Sequence, residues 1–301
     1  MKRINSLRIN EKKEIPILAF LWRWKVATTS AIYVRYYPVF KWAPFTAYQR
    51  MLKLKSKGLV EVKFSSSRNF PVWQLTRAGF LAIRDLLPLL SEEGFASEFP
   101  DHDLFVMAAH IGEWLPKGSV SDVIFFTEQE LRRQSAETLF DWLPPTKVHR
   151  PDGYWYFPNT KPNSLLALEV EVNRKSFSDY MACGSFYNKY KAIDQVLWVI
   201  QSQSLAFKVV EAAHQNLADF RDIHNFVLFS TFREKGWQSK IFKGPSAGST
   251  MHEFLNFQRL KQPESNPKAN LKHAFVSQIL DWRQCRFKSN TYETDAALSA
   301  W

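Results

Sequence analysis

Apolar residues along this chain recur with two periods, near 3.6 and near 2, and the switches between them mark its elements. Ile15, Leu18, Ala19 and Trp22 share one helical face and predict a first amphipathic helix. Thr28-Thr29-Ser30 supplies capping hydroxyls for a short second helix carrying Ala31, Ile32 and Val34. Pro38 and Pro44 bracket an aromatic-rich turn. A third helix starts near Phe45, turns Tyr48, Met51, Leu52 and Leu54 inward, and ends at Gly58. Leu59 to Phe64 then alternates as a strand, residues 65–69 form a polar turn, and Pro71 to Leu75 returns as a second strand. Thr76-Arg77-Ala78-Gly79 caps a closing helix that is expected to reach about Leu90.

After Ser91 the pattern is that of an α/β body. Asp101 to Trp114 reads as a helix and Val120 to Phe126 as a strand, with Thr127 capping a helix that carries Glu128, Glu130 and Leu131. Tyr154 to Phe157 is an aromatic strand, and a turn at 158–163 reverses the chain into a long strand from Leu165 to Asn173. A helix (about Ser176 to Lys191), a strand (Gln195 to Ile200), a helix (Ser204 to Leu217) and a strand (Phe226 to Thr231) follow. Gln262 to Asn270 reads as a linker, and Met251 to Leu260 and Ala274 to Trp282 as helices. The predicted class is therefore mixed α/β, in three parts: 1–90, 91–235 and a helical C-terminal extension at 236–301.

Charge separates the first part from the rest. Residues 1–90 hold 17 Lys+Arg and four acids, whereas 91–301 hold 23 basic and 25 acidic residues. The whole excess of +11 thus resides in the first third. Three helices, a two-stranded wing and a closing helix make a winged helix-turn-helix, and Trp73 to Gly79 resembles the same stretch of many bacterial winged-helix regulators. The outer face of its third helix carries Arg50, Lys53, Lys55 and Lys57, and Arg68 sits at the wing tip. Such a module places its third helix in the major groove and its wing on the neighbouring backbone or in the minor groove. These contacts go to phosphate, so they hold DNA without naming a sequence. A Lys-rich surface also serves solubility alone, and some winged modules only contact protein.

The long strand of the body carries the candidate chemistry. Side chains alternate faces, so Leu168, Val170 and Val172 point into apolar packing while Glu169, Glu171, Asn173 and Lys175 point the other way. Asp152 starts the paired strand and is expected across from Glu169. Converging carboxylates are a hard-oxygen site suited to Mg2+ or Mn2+, which can polarise a phosphodiester and activate a water. The plainer reading is a solvated face of a hairpin.

With this order of elements, the body resembles the PD-(D/E)XK nuclease core. The resemblance makes Pro151-Asp152 the first motif and Glu169-Val170-Glu171 the second, with Glu130 as the extra acid that members often carry on the preceding helix. It implies metal ligation by Asp152, Glu169 and Glu130, and catalysis by Asp152, Glu169, Glu171 and Lys175. One position departs: the family's usual lysine is Glu171 here. Some restriction enzymes of this fold work with Glu there, yet many relatives with altered motifs only bind DNA. Lys175 can substitute if the strand runs that far, and Lys189 beside Tyr190 is another positive group.

From about 10 to 235 the chain resembles the replication-relaxation proteins of plasmids and integrative elements, which join a winged helix to a degenerate nuclease-like domain. The matching pieces are Leu75 to Gly79, His102-Asp103-Leu104, Arg150 to Gly153, Leu168 to Glu171 and Lys189-Tyr190. The resemblance implies work on plasmid or mobile-element DNA alongside other replication or transfer proteins.

Other classes fit less well. No stretch reaches the ~20 apolar residues that a membrane span needs, and Arg23-Trp24-Lys25 stands where a signal peptide would be cut. A cytoplasmic protein is expected. Cys183 and Cys285 form no disulfide framework, and Lys243 to Gly248 lacks the ending of a phosphate-binding loop. His102-Asp103 reads as a helix-start pair that caps and packs, and Trp155 and Tyr156 could stack on unpaired bases. Residues 236–301 could cover a sheet edge or make a homodimer surface. Three functions stay open: a DNA-binding accessory protein with a silent nuclease-like body, a Mg2+-dependent endonuclease, and a winged-helix transcription regulator.

Overall fold

A computed structural model of the chain describes residues 9–65, 70–117, 123–158, 164–215 and 220–257. Arg68, Cys285, the 262–270 linker and the helix expected at 274–282 lie outside the described residues. The class is mixed α/β, and no helix among the described residues is long and apolar enough to cross a membrane.

The first module runs α1 (Ile15–Trp24), β1 (Val26–Ala27), α2 (Thr29–Phe40), α3 (Pro44–Ser56), β2 (Val60–Phe64), β3 (Pro71–Leu75) and α4 (Arg77–Leu81). Its antiparallel sheet has the order β1-β3-β2. Thr28 caps α2 by accepting the Ala31 N–H, and Thr76 caps α4 by accepting that of Gly79. Two boundaries differ from the expected ones. α2 runs through Pro38 instead of breaking before it, because stacking of Phe40 on Tyr36 and on Trp42 holds the last turn. α4 stops at Leu81 and is followed only by a 3-10 turn at Arg84–Leu86. Pro88 prevents the helix from running on to Leu90, and Leu86 and Leu89 beside it are 68% and 60% exposed.

The body comprises α5 (Pro100–Ile111), β4 (Ile124–Thr127), α6 (Glu128–Arg133), β5 (Gly153–Phe157), β6 (Ser164–Glu171), α7 (Phe177–Lys189), β7 (Gln195–Ile200), α8 (Gln203–His214), β8 (His224–Leu228), α9 (Phe229–Lys235), β9 (Ile241–Lys243) and α10 (Met251–Phe257). Six strands pair in the order β4-β5-β6-β7-β8-β9, parallel at β6-β7-β8 and antiparallel elsewhere. β8 stops at Leu228, short of the expected Thr231, because Phe229 and Phe232, both buried, follow helical spacing and start α9. Residues 241–243 extend the sheet at β8, so the chain past 235 adds a strand to the same body.

The sheet is covered on both faces. Leu166, Leu168 and Val170 join a core with α1, α5 and the first module, whereas Leu165 and Ala167 pack under α7 and α8. That first core is continuous from Ile17 to Leu255, so the basic module is docked on the body rather than tethered to it. Polar contacts tie the seam. Trp22 Nε1 donates to Gly94 O at 3.1 Å, and Arg23 reaches Phe125 O at 2.7 Å. Lys25, at φ 62°, occupies a backbone region disfavoured for side chains. Its ammonium lies 2.9 Å from Asp103 and 2.8 Å from Glu128, and these two ion pairs hold it there.

Gly79 packs α4 directly against the Leu59 carbonyl, leaving no room for a Cβ. Gly79→Ala should therefore destabilise the protein by about 2 kcal/mol or more, read from urea unfolding, because backbone must move.

Candidate acidic site and nucleic-acid interface

Every residue of β6 is buried, and its odd-numbered side chains enter the layer beneath α7. Glu169 and Glu171 thus point where apolar residues belong, beside Tyr180, Cys183 and Tyr187, and not into a solvated face. A carboxylate in such a place costs several kcal/mol unless it is partnered. Glu169 Oε1 accepts hydrogen bonds from the Tyr187 hydroxyl and from His149 Nε2, the latter at 2.7 Å. Cys183 Sγ stands 3.9 Å from that oxygen and 3.4 Å from His149 Nε2. These three residues form a group whose ligand atoms can hold a metal ion.

Glu171 pairs with Lys175, Nζ to Oε2 at 3.0 Å. Burial pushes its carboxyl up to about 7; Lys175 opposes the rise and the negative Glu169 and Asp152 add to it. The same three acids hold the Lys175 ammonium well above its ordinary value, although its burial acts the other way. The strand stops at Glu171, so Lys175 reaches the cluster from the loop before α7, not from the strand face.

Asp152 precedes β5, one residue before the Gly153–Leu168 pair, which places it across from Glu169. Gly153 is required beside it, because a Cβ there would run into the His110 ring of α5. Asp152 Oδ2 accepts the Val170 N–H at 2.6 Å, and Oδ1 lies 3.4 Å from His102 Nε2. His102 Nε2 also donates to Val170 O at 3.1 Å. Burial alone would lower the His102 pKa, but Asp152 and Asp103 carry it up to about 10, so the ring is an imidazolium at neutral pH. Burial likewise works against the Asp152 charge, yet His102 and the Val170 N–H hold its carboxyl below the usual range.

Asp152, Glu169, Glu171 and Lys175 therefore lie near enough to act on one another's charge, but among the described residues the three carboxylates are not brought together as a group of metal ligands, as His149, Glu169 and Cys183 are. Glu130 does something else: it closes a capping box with Thr127 and pairs with Arg23 Nε at 3.1 Å. No family model, curated protein or solved structure matches this chain. What the site can do rests on its own geometry.

On the first module, Lys53 and Lys55 are exposed on α3 and Arg50 is half-buried. Lys57 is committed inward, 2.6 Å from the buried carboxylate of Glu14. Lys189 lies over the Tyr190 ring, 5.6 Å from its centroid. Between the module and the body opens a cleft of about 410 Å3, lined by Lys25, His102, Arg132, Lys147, His149 and Arg150 among others, with Asp152 in its wall. Its lining is of mixed sign: Glu98, Asp103 and Glu128 stand beside the basic residues, and Lys25, which comes from the first module, is paired with two of them.

Sequence reasoning missed His102, His149 and Tyr187 as partners of the acids. His102 was expected to cap its helix, but α5 has no side-chain cap and the ring faces β6 instead. The available signal was a general one: buried carboxylates require donors, and the nearest unassigned histidines in the sequence are candidates.

Two outcomes follow. Lys57→Met should cost about 3 kcal/mol of stability by stranding Glu14, while Lys53→Met should change it by less than about 0.5 kcal/mol, both by urea unfolding. His102 has a folded pKa near 10 against an ordinary 6.5, so its contribution to stability is complete below pH 6.5 and is lost as the pH rises through 10. The stability gap between the wild type and His102→Gln should accordingly shrink on going from pH 6.5 to pH 10.

Proposed function

We propose that this chain is a DNA-binding protein of the replication-relaxation type, in which a basic winged-helix module grips duplex DNA and a nuclease-like body holds it without cutting. Support for the DNA-binding half comes from the order α1-β1-α2-α3-β2-β3, the β1-β3-β2 sheet and the charge of that third of the chain. The cleft sets Arg132, Lys147 and Arg150 of the body beside Asp152, with Glu98 and Glu128 also in its wall.

One observation carries the silent half. Each of the three carboxylates is already engaged by the protein's own donors: Asp152 by His102 and Val170, Glu169 by His149 and Tyr187, Glu171 by Lys175. Mg2+ and Mn2+ take oxygen ligands, and Mg2+ requires near-octahedral geometry at about 2.1 Å. Here the oxygen of Glu169 is shared with a nitrogen and a sulfur, and two cations, His102 and Lys175, sit among the acids. That donor set does not fit Mg2+ or Mn2+. A second reading, the Mg2+-dependent endonuclease, is favoured by the pull of Asp152, Glu169 and Glu171 on the Lys175 charge. On that reading Lys175 takes over from the lysine that Glu171 replaces.

The DNA reading is tested by binding to a duplex at several salt concentrations. Each phosphate contact contributes a slope of about −0.9 in log K against log salt. Arg50→Ala with Lys53→Ala should flatten the slope by about 1.8 and weaken all duplex sequences alike. An unchanged slope in the folded double variant would remove α3 from the interface.

A further inference from the structure

We infer that His149, Glu169 and Cys183 form a binding site for a transition-metal ion of the Zn2+ class, opening onto the cleft between the basic module and the body. Three different donor types meet at one point. The separations are 2.7 Å for His149 Nε2 to Glu169 Oε1, 3.4 Å for Cys183 Sγ to His149 Nε2 and 3.9 Å for Cys183 Sγ to Glu169 Oε1. Zn2+ binds nitrogen and carboxylate oxygen at about 2.0–2.2 Å and sulfur at about 2.3 Å. A tetrahedral ion at those lengths sets its ligands roughly 3.3–3.6 Å apart, within about 0.8 Å of the separations seen here. Small side-chain adjustments suffice.

Chemistry selects the class of ion. An imidazole, a thiolate and a carboxylate suit Zn2+ or Co2+, whereas Mg2+ and Ca2+ take oxygen. Cys183 and Glu169 come from buried positions on α7 and β6, and His149 reaches them from the loop before β5. That loop lines the cleft, and His149 itself stands in its wall, so an ion has a path inward. The Tyr187 hydroxyl touches the same carboxylate oxygen and lies 3.5 Å from His149 Nε2, where it can hold the carboxylate once the ion is in place. Charge also balances: Glu169 and the Cys183 thiolate offset the two charges of the ion. On binding, the Cys183 thiol proton leaves for solvent and His149 ligates as a neutral imidazole with its proton on Nδ1, and no atom changes oxidation state.

The inference is independent of any DNA. The test uses the full chain, freed of metal by a chelator and titrated with Co2+ alone. A single equivalent should produce a near-ultraviolet thiolate-to-cobalt charge-transfer band and visible bands of low coordination number, and Zn2+ should abolish both. Mg2+ in large excess should not. Cys183→Ser should lose the charge-transfer band, Cys285→Ser should keep it, and His149→Ala should bind at least about tenfold more weakly. Circular dichroism checks that each variant is folded. A wild-type titration without the charge-transfer band, or a folded Cys183→Ser variant with an unchanged spectrum, would overturn the site. Either result leaves the DNA reading untouched, and loss of DNA binding would leave the metal site untouched.

Discussion

A strand buried on both faces cannot carry unpartnered carboxylates, and β6 carries two of them. Glu169 and Glu171 lie in a layer that would otherwise be apolar, and the surrounding polar residues answer that constraint. His149 and Tyr187 close on Glu169, Lys175 folds back onto Glu171, and His102 reaches across the strand edge to Asp152. Removing any one partner would leave a buried charge exposed to its neighbours' repulsion. The cost of such a loss exceeds what the intact pair contributes. A cluster held this way offers no free set of carboxylate oxygens to Mg2+ or Mn2+, whereas the mixed donors of His149, Glu169 and Cys183 lie close together.

The docking of the basic module follows from a related constraint. α1 presents apolar residues to both its own module and α5, so one continuous core spans the two parts. Arg23 and Lys25, at the end of that helix, then find themselves at a half-buried seam. Their charges are met by Glu130, Asp103 and Glu128 of the body. Asp103 in turn bonds His102, which bonds Asp152, so a hydrogen-bonded line runs from the basic module to the acidic cluster.

Much of this was legible in the chain. Period and punctuation located α1, α3, β2, β3, α7 and β7 within a residue or two, and Thr28, Thr76 and Thr127 each cap the helix expected of them. The alternation in β6 placed Glu169 and Glu171 on one side, and Asp152 lies opposite as the hairpin requires. What stayed hidden depends on tertiary packing. Alternation cannot say that both faces of β6 are covered, since that depends on helices far along the chain. A basic stripe on α3 cannot reveal that Lys57 turns inward to Glu14. Aromatic stacking carries α2 through Pro38 against local propensity. His149 and Cys183 stand 34 residues apart and meet only because the loop before β5 and α7 flank the same strand.

The central claim is that the acidic cluster is satisfied from within and that the protein holds DNA without cutting it. The most direct measurement follows binding and strand breakage together, on supercoiled, linear and single-stranded DNA, with Mg2+, with Mn2+ and with EDTA. The account predicts retention of DNA in all three conditions, EDTA included, and supercoiled substrate that stays unnicked throughout. Nicking that requires a divalent metal and disappears in Asp152→Ala would contradict it.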